Sequence, residues 1–253
     1  MTAARRWLLP ALVVALLIGA WQVAAGTGFL SEVLNIEDFL VPSPAEIATS
    51  LWENRALLAE NAWVTLREVL LGMVCALLVG LAFGVVLHFS GILRAAAYPL
   101  LVASQTIPII AIGPVLVVWF GYGMGPKLAI VALLCFFPIT VNALDGLRSV
   151  DPEAVKMMRG LEASRWQTFR RLEAPTALPY AFSGTKIAVA VAFIGAVFGE
   201  WAGSSSGLGH LMLQDNAQLE TARLFASIAV LSAMAIGLFG LVALAERRIV
   251  TWR

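Results

Sequence analysis

The chain has 253 residues, of which 60% are hydrophobic and only 13% charged, with a mean hydropathy of +0.87 and a formal net charge of +1. Soluble domains carry about a quarter charged residues, so this composition excludes an ordinary soluble domain and indicates an integral membrane protein. The net charge says nothing about partners; the positions of the charges do.

A hydrocarbon core about 30 Å thick takes about 20 apolar residues as helix, and six stretches approach that length. The first is Trp7 to Ala25, preceded by Arg5 and Arg6. A cleavable signal peptide shows the same basic start, apolar run and small residues, but this run exceeds the usual apolar region of a signal, which favours a retained helix. Trp21 suits an interfacial anchor. Residues 26–61 are polar and acidic, and within them Ser43, Pro44 and Glu46 give a capping box with proline at the first helical position. The second span, Ala62 to Phe89, holds Gly80 and Gly84 at GxxxG spacing, which reads as close packing within one bundle.

The third span, Leu93 to Phe120, is interrupted by Ser104, Gln105 and Thr106 ahead of Pro108, and then by Gly113 and Pro114. It is expected to be one kinked helix, with the polar triplet either lining a path or bonding a neighbouring helix. Gly121 to Pro126 is a tight turn; no strand precedes it and no Lys-Ser/Thr closes it, so it is not a phosphate loop. The fourth span runs from Lys127 to Leu144 with Pro138 and Asn142 inside it, the fifth from Pro179 to Trp201 and the sixth from Ala222 to Ala245.

Six spans put both termini on one side. That side collects Arg5, Arg6, Arg94, Arg148, Lys156, Arg159, Arg165, Arg170, Arg171, Arg247, Arg248 and Arg253, twelve of the 17 basic residues. The positive-inside bias makes it cytoplasmic. The organisation is then an N-terminal helix with an outer segment (1–61), a core of five spans (62–246) containing the basic loop 148–175, and a tail (247–253).

The basic loop is the one long charged stretch between apolar runs. Asp151, Pro152 and Glu153 form a helix start by three separate signals, and Ser164 with Gln167 forms a second, a capping box. Two short helices joined near Gly160 would make an elbow at the membrane surface. Its Met157, Met158, Leu161, Trp166 and Phe169, mixed with arginines, suit either lipid headgroups or a groove in a soluble partner.

This loop resembles the cytoplasmic EAA loop of bacterial ABC-importer permeases. The resemblance extends over nearly the whole chain, through Leu40 to Pro44, Thr65-Leu66-Arg67, Ile107-Pro108, Trp119-Phe120-Gly121, Phe137-Pro138, Gly199-Glu200 and Gly207-Leu208-Gly209. These are similar to the branch importing nitrate, sulfonates, taurine and thiamine pyrimidine precursors, and Ser104 to Gly123 with Leu144 to Glu153 looks most like the pyrimidine-precursor permeases. The resemblance implies an all-α, type I permease-like bundle in a prokaryotic inner membrane. It implies a second copy of the chain, a cytoplasmic ATPase that binds the ATP and Mg²⁺, and a periplasmic or lipid-anchored substrate-binding protein. The docking element would comprise Asp151, Glu153, Met157, Met158, Gly160, Glu162, Ser164, Arg165, Trp166 and Phe169. The loop departs from the pattern where Glu162 stands in place of the usual Gly, Lys156 in place of the leading Glu, and Ala174-Pro175 in place of Leu-Pro. A Glu disfavours a left-handed turn at 162.

Candidate path residues are Ser104, Gln105, Thr106, Pro108, Asn142, Lys186 and Glu200. An intramembrane charge usually faces the bundle, though Lys186 could equally snorkel to the cytoplasmic surface, and Glu200 could be a gate or an interfacial acid. His88 and His210 stand alone, Cys75 and Cys135 fall in apolar spans as packing residues, and neither a metal cluster, a nucleophile with its base nor a nucleic-acid signature is present. The chain has no G-x-x-x-x-G-K-[ST] of its own. A secondary transporter would show an inverted repeat and paired intramembrane acids; no convincing repeat is found.

Overall fold

The computed structural model describes residues 3–252, except for the side chains of residues 3–7 and 10, so the charge assignments at Arg5, Arg6 and Arg253 lie outside the description. Twelve α-helices follow one another: α1 (Ala3–Gly26), α2 (Phe29–Leu34), α3 (Pro44–Glu53), α4 (Arg55–Phe89), α5 (Gly91–Ser104), α6 (Ile109–Phe120), α7 (Met124–Arg148), α8 (Pro152–Gly160), α9 (Arg165–Thr168), α10 (Ala174–Gly203), α11 (Leu208–Gln218) and α12 (Thr221–Ile249). A 3₁₀ turn precedes α3, and a π-turn over Phe169–Glu173 joins α9 to α10. No strand occurs among the described residues.

Among the described residues, four helices are long and apolar enough to cross a membrane: α4, α7, the continuous run Arg165–Gly203, and α12. The third expected span is not one kinked helix. It breaks into α5 and α6, bent by 101°. Pro108 lacks an N–H and its ring disfavours the helical region for the residue before it, so Gln105 to Pro108 leave the helix and Pro108 becomes the residue preceding α6. The apolar part of α1 within the described side chains, Ala11–Gly26, is shorter than a full crossing. Trp21 is half-buried rather than a free anchor; its ring packs against Phe225 at 6.1 Å.

The centre of the bundle is the antiparallel pair α7 and α10, with α4 against them and α12 outside. Lipid offers no hydrophobic gain for bringing helices together, so close van der Waals packing through small residues has to supply it. Gly184, Ala188, Ala192, Gly195, Ala196 and Gly199 form such a stripe on α10, all buried. A Cβ at Gly184 would sit 2.6 Å from the Pro138 carbonyl oxygen, and one at Gly195 would sit 2.9 Å from Leu134 Cδ1. On α4, Gly80 and Gly84 meet Ile139, Thr140 and Ala143 of α7, the packing role their spacing suggested. Between these seams lie Val69, Met73, Val131, Cys135, Ile139, Val189 and Phe193.

Replacing Gly184 by Val forces the Pro138 backbone away, and overpacking of this kind costs about 1–3 kcal/mol. The melting temperature of the purified G184V protein in detergent is expected to fall, whereas G237V, whose Cβ meets nothing within 4 Å, leaves it unchanged.

Candidate functional sites

The loop between α7 and α10 forms the expected elbow. Asp151 Oδ1 accepts from the Glu153 N–H at 2.9 Å with Pro152 opening α8, and Ser164 and Gln167 form a complete capping box at α9. Both starts are local, which is why the sequence signalled them. The second helix is not a separate short element, however; α9 runs through the π-turn into α10.

The turn between α8 and α9 overturns the expectation for Glu162. Its φ is +58°, in the left-handed region. The Glu162 N–H donates to the Arg159 carbonyl at 2.9 Å and the Ala163 N–H to the Met158 carbonyl at 3.0 Å, the pair of bonds that closes a helix in a Schellman motif, where glycine is the usual left-handed residue. The position that the resembling loops give to Gly is therefore left-handed here with Glu bearing the strain, while Gly160 is the last residue of α8. Met157, Leu161 and Trp166 are 63%, 72% and 62% exposed, an unusually apolar tip; Met158 and Phe169 are half-buried.

The elbow is tied to α4 by a charge cluster that the sequence did not signal. Glu173, 3% exposed, lies 2.8 Å from His88 Nε2 and accepts from Arg165 Nη1 at 3.2 Å. Phe169 packs against Phe89 at 5.1 Å and stacks on Trp166 at 5.2 Å. His88, read as solitary, thus joins α4 to the start of α10; a separation of 85 residues leaves no trace in spacing.

At the opposite end of the bundle, Glu200 is 1% exposed. It accepts from Thr65 Oγ1 at 2.6 Å and from the backbone N–H groups of Gly209 and His210. Thr65 in turn accepts from the Leu208 N–H at 2.9 Å, and Asn61 from the Gly207 N–H at 2.7 Å. Beside it, Glu68 of α4 pairs with Lys127 of α7, both buried, and Lys127 also donates to Ser204 Oγ at 2.9 Å. A hollow of about 600 Å³ lined by Arg67, Glu68, Lys127 and Ser204–Ser206 opens above them. Lys127, the first residue of the fourth expected span, is buried in the seam between α4, α7 and α10.

The remaining candidates scatter. Ser104, Gln105 and Thr106 cap the end of α5 at the bend, Ser104 Oγ donating to the Leu101 carbonyl at 2.7 Å and Thr106 Oγ1 to the Ala103 carbonyl at 2.8 Å. Ser104 and Gln105 also line a hollow of about 180 Å³ with Ile107, Ile109 and Ile112, while Pro108 is exposed. Asn142 turns onto its own helix, donating to the Pro138 carbonyl at 2.8 Å. Lys186 pairs with Glu246 of α12 at 2.8 Å. The structure therefore does not gather the candidate path residues into one cavity. No group of three metal-ligating side chains occurs among the described residues.

A bundle of long apolar helices, with an ordered, apolar-tipped elbow at one end, is the build of an integral membrane protein. Residues 69–251 match the family described as binding-protein-dependent transport system inner membrane component, and the chain belongs to it. It is 38% identical to a Haemophilus influenzae protein named "Probable ABC transporter permease protein", over 92% of this chain and 93% of that one. It is 34% identical to the formylaminopyrimidine transport permease of Halalkalibacterium halodurans, over 96% and 95%, and 35% identical to the riboflavin transport system permease of Chloroflexus aurantiacus, over 85% and 81%. Relatives named for aliphatic sulfonate and taurine transport, from Bacillus subtilis and Escherichia coli, support the same branch. A solved structure of a methionine ABC transporter in an inward-facing conformation shares the fold, with a TM-score of 0.64 at 20% identity, covering 79% of this chain and 97% of that one. The chain is a permease subunit of an ABC importer.

Two predictions follow from this geometry. Lys127→Met strands the buried Glu68 carboxylate, and breaking a buried pair from one side costs about 3–5 kcal/mol. K127M is expected to melt well below the parent, and E68L/K127M to recover most of the loss, read from thermal unfolding in detergent. At the elbow, Glu162→Gly relieves a left-handed conformation that costs a residue with a Cβ about 1–2 kcal/mol. E162G is expected to be neutral or slightly stabilising and E162V to be destabilising, because β-branching worsens the same strain.

Proposed function

We propose that two copies of this chain pair in the membrane, each seating its elbow on a separate cytoplasmic ATPase that binds ATP and Mg²⁺, and import a thiamine pyrimidine precursor delivered by a substrate-binding protein. The observation that carries the reading is the elbow: an ordered pair of short helices with Met157, Leu161 and Trp166 exposed at its tip, fastened to α4 and α10 by Glu173. Exposed apolar residues among arginines suit the core of a protein interface, and a rigid fastening lets movement of the tip reach the bundle. In this reading Asp151, Glu153, Gly160, Glu162 and Ser164 shape the elbow, Met157, Leu161 and Trp166 with the half-buried Met158 enter a groove in the ATPase, Phe169 braces Trp166 against Phe89, and Arg165 anchors the elbow.

Six crossings result if α1 and the bent pair α5–α6 each count as one, which places both termini and the elbow in the cytoplasm with most of the basic residues. The core is then 62–246, with 1–61 and 247–253 at its edges. Ser104, Gln105 and Thr106, exposed at the bend, are the path residues on this view, meeting their counterparts from the second copy. Lys186 and Glu200, engaged by Glu246 and Thr65, act on the path through helix position.

Pyrimidine-precursor transport is supported by the formylaminopyrimidine relative, and the riboflavin relative widens the class to nitrogen heterocycles. Sulfonate or taurine is the second reading, favoured by the relatives named for those cargoes. Uptake of labelled pyrimidine precursor, riboflavin, taurine, an alkanesulfonate and nitrate in cells with and without the gene separates them. Pyrimidine uptake is expected to disappear alone; loss of another solute instead replaces the cargo and keeps the machinery. Leu161→Ala/Trp166→Ala is expected to cut that uptake at least about tenfold, a loss of the size seen at interface hot spots, and to release the co-purifying ATPase. Retention of the ATPase at full stoichiometry overturns the docking role.

A further inference from the structure

Between the elbow and the ends of α4, α5 and α7 lies a second hollow, of about 420 Å³. Its wall carries His88, Arg94, Arg148, Lys156, Arg159 and Arg165, and the single carboxylate among its lining residues is Glu173. Glu173 is already engaged by His88 and Arg165. Arg94, Arg148, Lys156 and Arg159 form no ion pair among the described residues, so four cations line one space whose single carboxylate is already engaged by other groups. His88 adds a buried Nδ1 that has no hydrogen-bond partner. Leu147, Val150 and Val155 supply an apolar side to the same hollow. The site lies where α4 and α7, two helices long and apolar enough to cross a membrane, end and α5 begins.

We infer that this hollow binds a phosphate-bearing anion, with the headgroup of an anionic phospholipid as the source its position favours. The physical reasons are three. Guanidinium groups match phosphate oxygens in bidentate geometry. Unpaired cations gathered in one concavity repel one another until an anion fills it. Basic pockets between transmembrane helices at the cytoplasmic surface take acidic lipid headgroups, and the apolar wall fits the glycerol ester portion. The lipid would wedge α8 against α5, setting the rest position of the elbow. Binding is measured without transport, so it stands or falls separately from the import reading.

The test uses the protein purified in mild detergent with its co-purifying ATPase and exchanged against vesicles of phosphatidylglycerol, cardiolipin or phosphatidylcholine. Native mass spectrometry then counts retained lipid. The parent is expected to hold the two anionic lipids in preference to phosphatidylcholine. Arg94→Gln/Arg148→Gln is expected to weaken retention about thirtyfold, since each basic residue near the surface contributes about a factor of five. Arg55→Gln, at the other end of the bundle, should change nothing. If the first variant is not monodisperse, Lys156→Gln/Arg159→Gln, both exposed on α8, carries the same expectation. Retention that survives millimolar inorganic phosphate assigns the lipid as the source; displacement by phosphate assigns the free anion to the same site. Equal retention by parent and variants, no preference over phosphatidylcholine, or a site filled by an acidic stretch of the ATPase overturns the proposal.

Discussion

The structure depends on the close approach of α7 and α10. In lipid, apolar side chains gain little from meeting one another, so two helices stay together only where their backbones come near enough for dense packing. The stripe from Gly184 to Gly199 provides that, and its partners on α7 run in the opposite sense, from Pro138 back to Lys127. The elbow and the buried Glu68–Lys127 network are attached to the ends of this pair. The end of α7 and the start of α10 bracket the elbow; the start of α7 and the end of α10 hold Lys127 and Ser204. The packing that fixes α7 against α10 continues onto α4, where Gly72, Gly80 and Gly84 lie against Val131, Ile139, Thr140 and Ala143 of α7.

The two ends are fastened differently. At the end away from the elbow, Glu200 takes bonds from Thr65 and from two backbone N–H groups of α11, and Glu68, Lys127 and Ser204 continue the network across α4, α7 and the residue after α10. Buried polar groups in such a network are costly when broken from one side and specify the arrangement when whole. At the elbow end the ties are fewer, and Arg165 is about half-exposed. The two ends therefore differ in how many buried polar ties hold them, with the larger network at the end away from the elbow.

What the sequence disclosed follows from how local each signal is. The caps at Ser43, Asp151 and Ser164 depend on residues two or three positions away and were legible, as was the packing role of Gly80 and Gly84. Pro108 announced a break in α5–α6, but the 101° bend depends on what the two halves pack against, and no local rule supplies it. The pairs Glu68–Lys127, Lys186–Glu246, His88–Glu173 and Thr65–Glu200 join residues 59 to 135 positions apart. Composition showed only that these charges were improbable inside a membrane protein without partners; it could not say which partners. Glu162 is instructive in the other direction. Propensity argued against a left-handed turn there, yet the Schellman bonds from Glu162 and Ala163 and the start of α9 at Ser164 determine the local path, and the tertiary requirement overrides the residue.

The π-turn at Phe169–Glu173 explains how one segment serves both the elbow and the bundle. A wide turn admits an extra residue into a helix without ending it. Each residue advances an α-helix by 100°, so without that extra residue either the α9 side or the α10 side would rotate by about that angle. If α10 kept its small-residue stripe on α7, Trp166 and Arg165 would swing away from Phe169 and Glu173; if α9 kept its place, Gly184 would leave Pro138. The widened turn lets both faces be satisfied at once, with Glu173 pointing to His88 and Phe169 to Phe89.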